Sequence, residues 1–211
     1  MLPDHLVEAA RRHRLRNRRV CIVVRHAERH PVEDLMRHEA ALLTERGHRQ
    51  AREAGARLRD VHERLVVHHS PVPRCRETAE GLVHGFGERA RLGGEDEGLA
   101  APFVLDRHKA FSLVQERGGR FMRDWFDGKL PPGTFLARPA AARTQLEAIE
   151  RALTHDAMSV CVTHDWNVAL MKEHWLALSP DRGWPQFLDG IVYARDNEGA
   201  LVEIDGRVAR L

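Results

Sequence analysis

Short apolar runs that are typical of strands alternate along this chain with segments of helical periodicity. Residues 20–24 are almost wholly apolar, as expected of a central strand that is covered on both faces. Similar runs predict strands at residues 65–67, 159–163 and 191–194, and a further short strand at residues 103–105. A hairpin is predicted to follow the last of the long runs.

Helical spacing of apolar residues fills most of the intervals between these runs. Thr44 is a suitable N-cap for a helix that continues through Leu58. Further helices are predicted at the N terminus, at about residues 74–83, around residues 146–153 and at residues 166–178. This alternation predicts an α/β fold, a three-layer sandwich with a mainly parallel central sheet flanked by helices. In open sheets of this kind, ligands bind beyond the carboxyl ends of the strands.

Two segments lack clear periodicity. Residues 85–101 contain five glycines and several acidic residues, which favours a surface loop. Residues at about 108–139 read as irregular, and a loop of that length in a compact domain is often a functional lid. Trp125 and Phe126 within it either cover the substrate or anchor the lid to the core. Because no internal repeat occurs, we predict a single domain over residues 1–211.

The composition argues against a nucleic-acid or membrane partner. The chain has 33 Lys+Arg against 31 Asp+Glu, so it lacks a general attraction for polyanions. We interpret the basic run at residues 11–19 as the polar side of an N-terminal helix. No apolar stretch approaches the ~20 residues that span a bilayer, and no secretion signal is recognised. The three cysteines are an odd number, which favours a cytoplasmic protein without a disulfide framework.

Polar clusters follow three of the predicted strands, at residues 25–31, 70–74 and 163–165. Because the carboxyl ends of parallel strands meet at one edge of a sheet, we expect these clusters to converge. Guanidinium groups bind phosphate oxygens in a bidentate manner, so such convergence matches a phosphoryl dianion. The sequence therefore predicts a cationic phosphate pocket built from Arg25, His26, Arg29, Arg74 and His164.

These clusters resemble the motifs of a known family, the histidine phosphatase superfamily, which includes phosphoglycerate mutases and histidine acid phosphatases. The resemblance rests on RHAER at residues 25–29, LTERGHRQA at 43–51, SPVPRCRETA at 70–79 and VTHD at 162–165, together with Gly55 and Leu58. It implies a phosphoglycerate mutase-like fold. It also implies a metal-independent phosphatase that needs no cofactor.

The resemblance assigns a role to each residue of the predicted pocket. His26 is the nucleophile that attacks phosphorus and becomes phosphohistidine, which divides one difficult displacement into two easier ones. Arg25, Arg29, Arg74 and His164 hold the phosphoryl oxygens. For the attack, one nitrogen of His26 must be unprotonated, and a carbonyl that accepts the other ring N–H would fix that tautomer.

The general acid that protonates the leaving oxygen is less constrained by the motifs. Arg25, His26, Arg29 and Pro31 fit the pattern of the acid phosphatase branch, in which the donor is the Asp of a His-Asp pair. We therefore favour Asp165. In the mutase-like branch the donor is a Glu from the middle of the chain, for which Glu116 is the nearest candidate, and Glu28 is a third candidate by proximity. Ala27 departs from the glycine that usually follows the nucleophile, and the chain lacks the large helical insert of the acid phosphatase branch.

Other functions remain as alternatives to hydrolysis of a small phosphorylated metabolite, such as a sugar phosphate or a nucleotide. A phosphomutase would use the same phosphohistidine. A metal-dependent HD-type phosphohydrolase would use His164 and Asp165 as ligands, although such pairs lie on helices of all-α folds and no second cluster here has ligand spacing. A non-catalytic binder of phosphorylated ligands is the third alternative. A homodimer is compatible with the sequence, which does not determine the oligomeric state.

Overall fold

Helices and strands alternate in a computed structural model that describes residues 1–32 and 35–211. The α-helices in these ranges are α1 (Asp4–Leu15), α2 (Glu45–Leu58), α3 (Pro73–Phe86), α4 (Arg107–Arg117), α5 (Phe121–Phe126), α6 (Arg138–Ala152) and α7 (Asp165–Leu176). The strands are β1 (Arg19–Arg25), β2 (Leu65–His69), β3 (Ala90–Glu95), β4 (Met158–Thr163), β5 (Gly190–Asp196), β6 (Gly199–Ile204) and β7 (Arg207–Arg210).

All seven of these strands form one sheet, in the order β3-β2-β4-β1-β5-β6-β7. The pairs β1–β4, β4–β2 and β2–β3 are parallel. The pairs β1–β5, β5–β6 and β6–β7 are antiparallel. Only β5 and β7 therefore run against the other strands, and the predicted α/β fold is confirmed, with a central mixed sheet flanked by helices.

Strand β1 is apolar along its length because both of its faces are covered. Ile22 packs into a core that includes residues of α1, α2 and α3. Its neighbours Cys21 and Val23 point to the opposite face and pack into a core that includes residues of α6 and α7. Successive side chains of a strand point to opposite faces, so a continuous apolar run is the pattern required of a strand between two helical layers.

Helices α2 and α3 lie so close together that two glycines are required at their contact. A Cβ atom on Gly55 would lie 2.1 Å from the carbonyl oxygen of Leu82, and one on Gly85 would lie 1.9 Å from that of Arg52. A larger residue at either position would force the helix backbones apart. This contact fixes α3, whose first turn carries Arg74.

The structure corrects three predictions for the middle of the chain. Residues 85–101, predicted as a loop, contain β3, an edge strand whose glycines and exposed polar residues hide its strand character. Residues 103–105 are not a strand, since only an isolated bridge joins Val104 to Phe135. The segment at about 108–139, predicted as irregular, contains α4 and α5. The search for helical periodicity missed α4 and α5 because both helices are short and pack through aromatic side chains.

The aromatic residues of this segment form a third core cluster. Trp125 stacks on Phe103 with ring centroids 4.9 Å apart, and its indole N–H donates to the carbonyl of Leu136 at 2.9 Å. Trp125 and Phe126 are both buried. Of the two predicted roles for this pair, anchoring of the segment to the core is therefore the one that the packing favours.

The N-terminal basic run contains the C-terminal part of α1 and the turn that leads into β1. Arg12 and His13 of α1 both contact the buried carboxylate of Glu203 on β6, and Arg18 pairs with Asp196. Within residues 1–32 and 35–211, no helix combines the length and the apolar character needed to cross a membrane.

Candidate active site

The three predicted polar clusters meet where three neighbouring strands end. The backbone N–H of His26 donates to the carbonyl of Thr163 at 2.9 Å, which joins the end of β1 to the end of β4. The N–H of Ser70 donates to the carbonyl of Val162 at 3.0 Å, which joins the end of β2 to β4. Parallel pairing thus brings together residues that lie 92 positions apart, as Ser70 and Val162 do, and 137 positions apart, as His26 and Thr163 do.

His26 lies at the base of this junction with only 2% of its surface exposed. Its Nδ1 lies 2.8 Å from the carbonyl oxygen of Ala27, and because a carbonyl only accepts, Nδ1 carries the proton. Its Nε2 accepts a hydrogen bond from Nε of Arg74 at 3.0 Å. Burial, and then the charge of Arg74, lower the pKa of His26 well below its ordinary value. The ring is therefore neutral near pH 7, with the Nε2 lone pair free of a proton.

Arg74 holds the two histidines of the site together. Besides its bond to His26, its guanidinium donates to Nδ1 of His164 at 3.3 Å and to the carbonyl of His38 at 2.7 Å. Because arginine only donates, Nδ1 of His164 is an acceptor, and its Nε2 donates to the hydroxyl of Ser70 at 2.9 Å. Loss of solvation, and then the charge of Arg74, lower the pKa of His164 well below its ordinary value.

Arg25 lies on the other side of His26 and contacts Asp165. Its guanidinium is 2.9 Å from the carboxylate of Asp165, donates to the carbonyl of Pro185 at 2.8 Å and lies 4.4 Å above the ring centroid of Phe187. The carboxylate of Asp165 also accepts from the indole N–H of Trp184 at 3.4 Å. Asp165 is the first residue of α7, so its side chain contacts the guanidinium of Arg25 at the start of that helix.

The segment from Trp184 to Asp189 is part of the site, and sequence reasoning missed it. It supplies the Pro185 carbonyl and the Phe187 ring to Arg25, and the carbonyl of Asp189 accepts from the backbone N–H of Arg25 at 2.8 Å. None of these groups is of a type that binds phosphate or transfers protons. They position Arg25 and Asp165, and nothing in their local pattern signals that role.

The remaining predicted residues differ in their placement. Arg29 is half-buried and near the site, since its charge contributes to the lowered pKa of Arg25, Arg74 and His164. The Glu28 carboxylate is directed to the start of α2, where it accepts from the hydroxyl of Thr44 at 3.0 Å. Glu28 therefore stabilises the N-cap residue of α2.

Glu116 lies apart from the histidines, in the last turn of α4. Its side chain is 69% exposed and its carboxylate is 3.9 Å from the guanidinium of Arg117. It does not line the cavity described below. Of the three candidate acids, Asp165 is thus the one in contact with another predicted site residue.

A cavity of about 100 Å³ opens above Arg74, His164 and Asp165. Sequence reasoning identified these three residues but not the rest of the lining, which is His38, Glu39, Val72, Ala100, Ala101, Val104, Arg107, Phe111, Trp166 and Asn167. Asn167 is fully buried and donates to the side chain of Gln145 at 2.8 Å, and its enclosed Oδ1 has no donor among the described residues.

The residues of the site do not favour a cysteine nucleophile or a metal centre. Cys75 packs 3.7 Å from Nε2 of His164, and burial raises the pKa of its thiol to about 12, so it is not a thiolate nucleophile. Within residues 1–32 and 35–211, no three His, Cys, Asp or Glu side chains are grouped so that they could hold a metal ion.

Histidines and arginines thus gather at adjacent ends of parallel strands in an α/β sandwich. This arrangement is suited to binding a phosphoryl group. The model of the histidine phosphatase superfamily (branch 1) matches residues 21–190, and the chain belongs to this superfamily. The resemblance stated from the motifs is thereby confirmed. No curated protein matches the sequence.

Solved structures of three phosphoryl-transfer proteins share the fold. A mycobacterial glucosyl-3-phosphoglycerate phosphatase is 18% identical with a TM-score of 0.54, over 92% of this chain and 97% of that one. An Entamoeba histolytica phosphoserine phosphatase variant, in complex with phosphoserine, is 16% identical with a TM-score of 0.52, over 90% and 94%. A Bacillus anthracis phosphoglycerate mutase is 15% identical with a TM-score of 0.55, over 92% of each chain.

Proposed function

We propose that this protein is a phosphatase that hydrolyses the phosphate monoester of a small metabolite through a phosphohistidine on His26, without a metal ion. The observation that carries the proposal is the tautomer of His26. Its Nδ1 proton is held by the Ala27 carbonyl, so the lone pair of Nε2 lies within a cage of fixed positive charge. A neutral nucleophile among cations is what attack on a phosphate dianion requires.

In the first step the Nε2 lone pair bonds to phosphorus as the bond between phosphorus and the ester oxygen breaks. The Arg74 N–H that now bonds Nε2 at 3.0 Å turns to a phosphoryl oxygen, and Arg25 and Arg29 hold others. His164 donates to a phosphoryl oxygen through the Nε2–H that now bonds Ser70. Charge neutralisation and positioning supply most of the rate in phosphoryl transfer. Arg74 thus releases the nucleophile as it binds the substrate.

Asp165 is the proposed source of the proton for the leaving oxygen. It lies beside Arg25 and lines the cavity in which the organic group of the substrate would sit. An incoming phosphate dianion competes with the carboxylate of Asp165 for Arg25. In the second step Asp165 takes a proton from water, the water oxygen bonds to phosphorus, and the bond to Nε2 breaks. Neutral His26 and inorganic phosphate are the products.

The substrate is proposed to be a small molecule because the cavity measures about 100 Å³ and lies beside the segment that contains α4 and α5. We further propose that this segment is a lid over the site, and that residues 1–211 are one domain. The three cysteines are free thiols, in keeping with a cytoplasmic location.

Turnover of p-nitrophenyl phosphate and of alkyl phosphates should be unchanged by EDTA. Arginine and histidine side chains are proposed to neutralise the phosphoryl charge, so no metal ion is needed for that purpose. The measurement is release of inorganic phosphate with and without EDTA, followed by re-addition of Mg²⁺, Mn²⁺ or Zn²⁺. Loss of activity with the chelator that a metal restores would favour the HD-type phosphohydrolase. Recovery of an isomeric phosphate ester in place of inorganic phosphate would favour a mutase.

Asp165→Asn should slow hydrolysis of alkyl phosphates by roughly 10²–10⁴-fold, the usual contribution of a positioned general acid. Hydrolysis of p-nitrophenyl phosphate should fall by less than about tenfold, because nitrophenolate leaves without protonation. The measurement is kcat for both substrates, with Asp156→Asn as the control, since Asp156 is exposed and pairs only with Arg64 among the ion pairs described. Equal losses of kcat on both substrates would show that Asp165 is not the general acid.

A further inference from the structure

The cavity is charged at one end and apolar along one side. Arg74, His164 and Asp165 form the end at which the phosphoryl group would lie. Six other residues of the lining are apolar, and they are Val72, Ala100, Ala101, Val104, Phe111 and Trp166. Most of these side chains are half-buried, so part of their apolar surface is accessible, and together they are called the apolar wall of the cavity. Apolar surface grouped in a cavity gains free energy when a ligand covers it.

The two rings of this wall are fixed in position by their neighbours. Trp166 contacts Phe121, with ring centroids 5.2 Å apart, and Phe135, at 6.0 Å. Phe111 lies 6.3 Å from Trp166 and packs on the ring of His38 at 5.0 Å. Rings held in this way lose little conformational freedom when a ligand packs against them, so they provide a preformed surface.

Arg107 and Glu39, which also line the cavity, pair with each other. The guanidinium of Arg107 donates to the carboxylate of Glu39 at 2.6 Å. A substrate carboxylate that bound Arg107 would lie beside the like charge of Glu39, and a substrate ammonium that bound Glu39 would lie beside the like charge of Arg107. Either substrate charge would therefore gain little at this exposed pair.

We propose that the organic group of the substrate is uncharged and mainly apolar, with a flat ring that packs against Phe111 and Trp166. This inference rests on the proposed phosphatase activity, since it assumes that phosphate binds at Arg74 and His164. The substrate class is therefore phosphate monoesters of small ring-containing alcohols.

The test compares phosphate esters of primary alcohols. Their leaving groups are matched, so that differences in leaving-group reactivity do not set the order of the kcat/KM values. The panel is 2-phenylethyl phosphate, glycerol 3-phosphate, phosphoserine and 3-phosphoglycerate. We expect kcat/KM for 2-phenylethyl phosphate to exceed each of the others by about tenfold or more, the range that apolar pocket contacts supply. A preference for phosphoserine or 3-phosphoglycerate would show that Arg107 binds a carboxylate and would overturn the inference.

Phe111→Ala provides the second measurement. It should reduce kcat/KM for 2-phenylethyl phosphate by about tenfold, and that for glycerol 3-phosphate by less than about twofold. Leu105→Ala is the matched control, because Leu105 is 55% exposed just before α4 and does not line the cavity. Equal losses on both substrates would show that Phe111 supports the fold rather than the ligand, and would refute its role in selection. If p-nitrophenyl phosphate itself is not hydrolysed, the proposed activity fails, which is a distinct result.

Discussion

His26→Ala is expected to reduce phosphatase turnover by about 10⁴-fold or more, since the variant has no atom that can bond to phosphorus. The Ala27 carbonyl and Arg74 hold His26 in one tautomer and one orientation. The other imidazole that Arg74 contacts is His164, whose Nε2 bonds the hydroxyl of Ser70. The measurement is kcat for p-nitrophenyl phosphate.

Rapid quenching should capture the intermediate in the wild-type protein. With ³²P-labelled substrate we expect label on the protein that is stable in base and lost in acid, as a phosphoramidate bond is, and that maps to His26. His30→Ala is the control, because His30 is an exposed histidine four positions away whose contacts with Arg29 and Leu42 are made by its backbone. Activity close to wild type in the His26 variant, or label on another residue, would disprove the mechanism. Retained binding of inorganic phosphate with no turnover in wild type would support the non-catalytic binder.

Arg74→Lys is expected to lower kcat by roughly 10²–10³-fold, the usual cost of removing one donor to a developing oxyanion. The guanidinium of Arg74 bonds His26, His164 and the carbonyl of His38 with three different nitrogens. A lysine keeps the charge but has one nitrogen, so it cannot reach all three positions. The loss should therefore appear although the net charge of the site is unchanged.

Arg76→Lys on the same helix is the matched control for this substitution. Arg76 is exposed and pairs with Glu80 one turn further along α3. An exposed pair of this kind contributes little, so stability and activity should stay close to wild type. If Arg74→Lys kept full activity, the bonds of the guanidinium would have no part in the reaction. If it lost activity only through unfolding, the thermal transition would shift in step with kcat.

The sequence anticipated the parts of the fold that local patterns encode. The apolar run at residues 20–24 became β1, and Thr44 caps α2 by accepting from the N–H of Gly47. Predictions failed where packing overrides local preference. The glycine-rich edge strand β3 pairs only with β2, and α4 and α5 are stabilised by aromatic contacts that a search for periodicity does not detect.

The same division holds for the site. The motifs indicated which side chains to consider, and the ends of β1, β2 and β4 bring His26, Ser70 and His164 together as the strand pattern predicts. The motifs did not separate three candidate acids. The contact of Asp165 with Arg25, the use of Glu28 at the start of α2 and the exposure of Glu116 distinguish them in the structure.

By itself, then, the sequence determined the buried strands β1, β2, β4 and β5, the Thr44 cap of α2 and the residue types that follow the strands, because each of these depends on neighbours within a few positions. Tertiary structure alone decided the tautomer-fixing contacts, the segment from Trp184 to Asp189 that holds Arg25, and the apolar wall of the cavity. Those features join residues that lie as far as 160 positions apart, as Arg25 and Pro185 do. Only assembly of the sheet and packing of the helices against it bring such residues within hydrogen-bonding distance.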